Sequence, residues 1–128
     1  MNIPRPSDVL HLRSSPGYGG GPDKTILRCV KEIDPEKYEL FCAYIYDKRY
    51  KEFPLYEQAK EKGIPAYRIM IGSPYSPLLI PKIRKLMRDL DIGIIHTHGY
   101  KSDIAGALAG IGKNVKKITT VHGFVETD

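Results

Sequence analysis

The chain is poor in cysteine: among its 128 residues there are two, Cys29 and Cys42. Their spacing suits no metal, and two thiols cannot build a disulfide framework, so reduced, buried side chains are the default and a cytoplasmic setting is expected. Long apolar runs are also missing. No stretch approaches the ~18 residues of a membrane span, and the opening Met1-Asn-Ile-Pro-Arg-Pro-Ser-Asp8 lacks the apolar core of a signal peptide. Any membrane contact is therefore expected to be peripheral. No helix-turn-helix, zinc-finger or RNA-binding signature accompanies the basic residues, which ranks nucleic acid low among partners.

What is present is an ordinary globular composition. Hydrophobic residues make up 41% and charged residues 27%, which argues against disorder and against a fibrous repeat. A length of 128 residues suits one domain with a core of moderate size, and a second full domain does not fit. The formal charge of +5 is concentrated at Lys48-Arg49-Lys51, from Lys82 to Arg88 and from Lys113 to Lys117. Such clusters attract phosphorylated ligands or anionic lipid, or are simply solvated faces of helices and loops.

The most distinctive stretch runs from Asp8 to Lys24. An apolar run, Val9-Leu10-His11-Leu12, leads into a loop with Gly17, Gly19, Gly20 and Gly21, after which Ile26, Val30 and Ile33 recur at helical spacing. Pro22 suits the first helical position, and Asp23 faces the positive end of the helix dipole. A helix N-terminus preceded by glycines can hold an anion, because positive φ is permitted and no Cβ keeps a ligand from the backbone. The same glycines also serve a tight turn that only packs helix against strand. They form neither the dinucleotide fingerprint, since Pro22 stands where a later glycine is required, nor a P-loop, since no Gly-Lys-Ser/Thr follows.

Asp34-Pro35 ends the first helix. Strands are expected over Tyr38 to Tyr46, Ala66 to Met70, Asp91 to His96 and Lys117 to Val121, with helices over Pro54 to Lys62, from about Leu79 to Leu90, and over Lys101 to Ile111. Gly63 closes the second helix. Pro81 either starts the third helix or distorts its first turn. The small residues of the fourth helix let it pack close to the sheet. This alternation predicts an α/β, Rossmann-like three-layer sandwich with a parallel sheet of order 3-2-1-4-5 and right-handed crossovers. The glycine loop after strand 1, His96-Thr97-His98 after strand 4 and His122-Gly123 after strand 5 then converge where the strand order reverses, the edge at which such sheets bind ligands.

The rings of His96 and His98 are expected to point to opposite faces, with His96 in the core near the strand end and His98 the more open, because Gly99 signals a sharp turn. Together with His122 they raise the alternative of a metal hydrolase, although Asp103 and Glu126 are the only carboxylates close to these turns. His122 is the best single candidate for chemistry: a neutral imidazole donates to a sugar hydroxyl or a phosphate and titrates near neutrality. The alternative is a ring that caps the strand end. Glu126 reads as a solvated turn residue.

Four segments, in order, resemble one family: Ser14-Ser-Pro-Gly-Tyr-Gly-Gly-Gly-Pro-Asp-Lys-Thr-Ile-Leu27, Glu61-Lys-Gly-Ile-Pro65, Asp91-Ile-Gly-Ile-Ile-His-Thr-His-Gly-Tyr100 and Thr119-Thr-Val-His-Gly-Phe124. They are similar to the N-terminal half of a retaining, metal-independent glycosyltransferase of the family 4, or group 1, class, whose GT-B architecture joins two Rossmann-like domains. The resemblance implies that Gly17, Gly19, Gly20 and Gly21 approach donor phosphates and acceptor, that His122, followed by Gly123, contacts the transferred sugar, and that His98 and Tyr100 line the acceptor side. It implies a nucleotide-sugar substrate, a glycan or lipid-linked acceptor, and no metal or other cofactor. In that family the second domain supplies most of the donor site, including two glutamates separated by seven residues, a pair this chain does not contain. Residues 1–128 are thus expected to form a single, truncated acceptor-side domain, inactive alone, cytoplasmic or at the inner face of a membrane, and prone to self-association through its last strand. The rival readings are a non-catalytic nucleotide- or sugar-binding module of this fold and a nucleotide-sugar epimerase fragment.

Overall fold

A computed structural model describes residues 7–14, 21–47, 54–72 and 76–120. In chain order the elements are β1 (Ser7–Ser14), α1 (Gly21–Glu32), β2 (Tyr38–Asp47), α2 (Pro54–Glu61), β3 (Ala66–Ile71), α3 (Leu79–Asp89), β4 (Ile94–His98), α4 (Tyr100–Ala109) and β5 (Lys116–Thr120). The five strands form one sheet in the order β3-β2-β1-β4-β5, and every neighbouring pair is parallel. Fold class and strand order are those expected from the alternation of apolar runs.

The central strands are apolar on both sides because both sides are covered. Leu10, Leu12, Ala43, Ile45 and Ile95 pack with Ile83 and Met87 of α3 and Ala105 and Ala109 of α4. Val9, Cys42 and Tyr44 pack with Ile26 and Leu27 of α1 and Leu55 and Ala59 of α2. Along β1, odd positions therefore face α1 and α2, and even positions face α3 and α4.

Helix ends follow their cap residues. At the end of α2, Gly63 takes φ +77°, its N–H donates to Lys60 O at 3.0 Å and that of Ile64 to Ala59 O at 2.9 Å. This paired closure satisfies carbonyls the helix leaves open. The end of α3 repeats it without glycine: Asp91 adopts φ +53°, and Asp91 N and Ile92 N donate to Arg88 O and Met87 O. Asp91, Ile92 and Gly93 are consequently a connection, and β4 starts at Ile94 rather than at the expected Asp91. Pro81 is the third residue of α3, within the first turn, where an absent N–H costs no intrahelical bond.

One glycine of α4 sets its distance from the sheet. A Cβ on Gly106 would lie 2.6 Å from Thr97 Cγ2 and 3.4 Å from Ile95 Cδ1, so α4 rests on β4 at a separation only glycine permits.

Candidate functional site at the carboxyl edge

The parallel register of β1 and β4 sets His11 beside His96 and Arg13 beside His98. Side chains two residues apart on a strand share a face, and the partners of Val9 and Ile94 identify this one as the side covered by α1 and α2. Three imidazoles meet there. Ring centroids are 4.8 Å apart for His11 and His96, 5.1 Å for His11 and His98, and 4.3 Å for His96 and His98. His11 Nδ1 lies 2.9 Å from His98 Nε2, and His96 Nε2 lies 2.5 Å from Thr120 Oγ1 on the neighbouring strand.

Two expectations are corrected here. His96 and His98 do not point to opposite faces: as positions i and i+2 they lie on one, and Thr97 between them faces the other. Nor is His98 the more open of the two, being 2% exposed while His96 is half-buried. His11 is buried as well. Burial first, then repulsion from a charged His96, pushes the His11 pKa down to about 4, so the ring is neutral at physiological pH.

Arg13 ties three segments together. Its Nε donates to Asp23 Oδ1 at 3.1 Å, in the first turn of α1, and its Nη1 to the His98 carbonyl at 3.4 Å. Asp23 is 1% exposed. Gly99 follows with φ +96°, where a Cβ would come within 3.0 Å of Arg13 Nη1. The hydroxyl of Ser102, fully buried, shares its one proton between the His98 and Gly99 carbonyls at 2.7 and 2.9 Å and accepts from His98 N. On the far face, the Thr97 hydroxyl donates to Asp103 Oδ1 at 2.6 Å and lies 3.1 Å from Thr119 Oγ1. The start of α4 is thus fastened to both faces of β4.

Of the residues singled out from the sequence, Gly17, Gly19, Gly20, His122, Gly123 and Glu126 lie outside the described residues. Gly21 opens α1 and Tyr100 opens α4, both at the edge that carries His98. His11, Arg13 and Ser102 escaped sequence reading. The available signal was the pair His11 and Arg13, polar at alternate positions where Val9, Leu10 and Leu12 are apolar.

The basic residues of α3 belong to the other side of the sheet. A shallow cleft of about 410 Å³ is lined by Ile80, Pro81, Arg84, Lys85, Arg88 and Lys113. Part of this charge is already engaged: Lys82 donates to Met70 O, Arg84 to Ala109 O and Ile111 O, and Lys85 pairs with Asp89.

The fold and this edge define a doubly wound α/β domain with the start of α1 and the β4–α4 turn where the strand order reverses, the usual ligand crevice of such sheets. Residues 19–127 match the family model described as Glycosyltransferase Family 4, and the chain belongs to that family. Among solved structures it is similar to a glycosyltransferase from Rickettsia africae ESF-5, with a TM-score of 0.66 and 16% identity, over 96% of this chain and 31% of that one. A candidate UDP-N-acetylglucosamine 2-epimerase from Listeria monocytogenes gives 0.65 and 14%, over 89% of this chain and 30% of that one. A UDP-GlcNAc 2-epimerase from Neisseria meningitidis, solved with UDP-GlcNAc bound, gives 0.62 and 15%, over 88% and 31%. At these identities the likeness is one of fold, that of a GT-B N-terminal domain. The chain spans less than a third of the length of each. No curated protein matches it by sequence.

Proposed function

We propose that this chain is the acceptor-side domain of a retaining glycosyltransferase that moves a sugar from a nucleotide-sugar to a glycan or lipid-linked acceptor. The observation that carries the reading is the family match across residues 19–127 on a fold whose glycine-preceded helix α1 and β4–α4 turn share one edge. In this reading Gly17, Gly19, Gly20 and Gly21 admit the donor phosphates, His122 with Gly123 contacts the transferred sugar, and His98 and Tyr100 border the acceptor side. Transfer needs no metal. Stabilising charge on a departing diphosphate requires groups converging from two sides, so the cationic and glutamate groups of the donor site belong to a second domain outside these 128 residues. The 31% coverage of the Rickettsia glycosyltransferase supports that division, and the single-domain, cytoplasmic or membrane-peripheral reading goes with it.

The test is sugar transfer from a panel of nucleotide-sugars, by this chain alone and with the remainder of any longer reading frame. Transfer by the longer form only is expected. A second reading, epimerisation of a nucleotide-sugar, is favoured by the epimerases of nearly equal similarity. The same assay separates the two, since epimerisation inverts a centre of the substrate's own sugar and needs no acceptor, whereas transfer does.

A further inference from the structure

We propose that His11, His96 and His98 form a divalent transition-metal site that clamps β1 to β4 at the carboxyl edge of the sheet. The chain has four histidines, and three converge here from two strands, each offering a ring nitrogen within 4.8 Å of the others. The site is additional to the proposed transfer chemistry and does not depend on it.

Spacing supports coordination. Imidazole nitrogens bound to one ion at about 2.0–2.1 Å stand about 2.9–3.4 Å apart for ligand angles of roughly 90–110°. His11 Nδ1 and His98 Nε2, at 2.9 Å, already have that separation. Their contact needs a proton on one of the two nitrogens. On metal binding, that ring shifts its proton to its other nitrogen, both lone pairs turn to the ion, and no proton is lost. The third nitrogen, on the half-buried His96, lies within 4.8 Å of the others and closes by up to about 1.5 Å through a side-chain rotation that also moves the ring relative to Thr120 Oγ1.

The donor set decides the metal class. Three imidazoles with no carboxylate beside them among the described residues suit zinc, nickel or copper, whereas magnesium and calcium require oxygen ligands. Arg13, which reaches the His98 carbonyl, is paired with Asp23, so a dication at the trio faces no bare positive charge from that side chain. Three protein ligands leave a fourth position for water or a ligand from the crevice.

The 128-residue chain, stripped with a chelator, is titrated with Zn(II) by calorimetry and with Co(II) by visible absorption. One equivalent is expected to bind, with a rise in the unfolding midpoint at saturating zinc. His96→Gln weakens binding by at least about tenfold. Should His11→Gln or His98→Gln fail to fold, ring ¹⁵N signals of the wild-type protein decide: zinc-induced shifts in three of the four histidines support the site. Absence of saturable binding, or binding retained at full strength in His96→Gln, overturns it.

Discussion

Arg13 Nε stands 3.1 Å from Asp23 Oδ1, joining the end of β1 to the first turn of α1, and the same guanidinium reaches the His98 carbonyl. The pair brackets the segment that holds the glycine loop. Asp23 is 1% exposed, so losing Arg13 removes an ion pair from a buried carboxylate, and breaking such pairs is costlier than forming them is favourable. Arg13→Met is expected to lower stability by about 2–3 kcal/mol. Asp23→Asn, which retains an acceptor oxygen while Arg13 can turn to water, should cost less. Urea unfolding checks the order; a larger loss in Asp23→Asn would contradict this reading of the pair.

Gly106 lies where α4 meets β4, and an added methyl would meet Thr97 Cγ2 at 2.6 Å. Alanine gains about 1 kcal/mol in helix propensity, whereas overpacking costs about 1–3 kcal/mol. The net for Gly106→Ala is a loss of about 1 kcal/mol, because Thr97 is fully buried and held by Asp103. Adding Thr97→Ser removes the obstructing methyl and keeps the hydroxyl, so the double variant should recover part of the loss. A Gly106→Ala protein more stable than wild type would mean that α4 rests farther from the sheet.

In chelator-treated, metal-free protein, His11 makes stability depend on pH. Its folded pKa is about 4 against an ordinary 6.5, so the unfolded chain takes up a proton more readily. The His11 contribution is complete above pH 6.5 and is lost as pH falls towards 4, up to about 3 kcal/mol over that window. His96 and His98 face the ring from β4, and Cys42 stands beside it on β2. Denaturant midpoints measured between pH 7.5 and 4 should fall, and His11→Gln should flatten that slope.

The basic side of α3 gives a separate expectation for a lipid-linked acceptor. Lys82, Lys85 and Arg88 are exposed, and each cation near an anionic surface contributes about 1 kcal/mol. The protein should sediment with anionic vesicles at low salt and be released at high salt, and replacing these three by glutamine should abolish binding. Sedimentation that anionic lipid leaves unchanged would remove membrane contact from the proposal.

The sheet order was legible because each central strand is a short apolar run and each helix carries its own stop residue. The start of β4 was not, since Asp91 in a left-handed cap looks from sequence like the first residue of Asp91-Ile-Gly-Ile-Ile. The histidine cluster was half legible. His96 and His98 stood out as a pair, but their shared face follows from a period of two, and His11 joins them only through the β1–β4 register. The contact of Arg13 with Asp23 joins the end of β1 to the first turn of α1, a tertiary pairing that no local pattern encodes. Small residues in α4 correctly indicated close packing, and Gly106 is where that closeness is needed.

Comparing sugar transfer by this chain with transfer by a form carrying the second GT-B domain, each with and without His122→Ala, tests the central proposal most directly. Transfer only in the longer form, falling by at least about a hundredfold on His122→Ala, is the expected result. Transfer by the 128-residue chain alone, or full activity after His122→Ala, would contradict a crevice shared between two domains with His122 at the sugar.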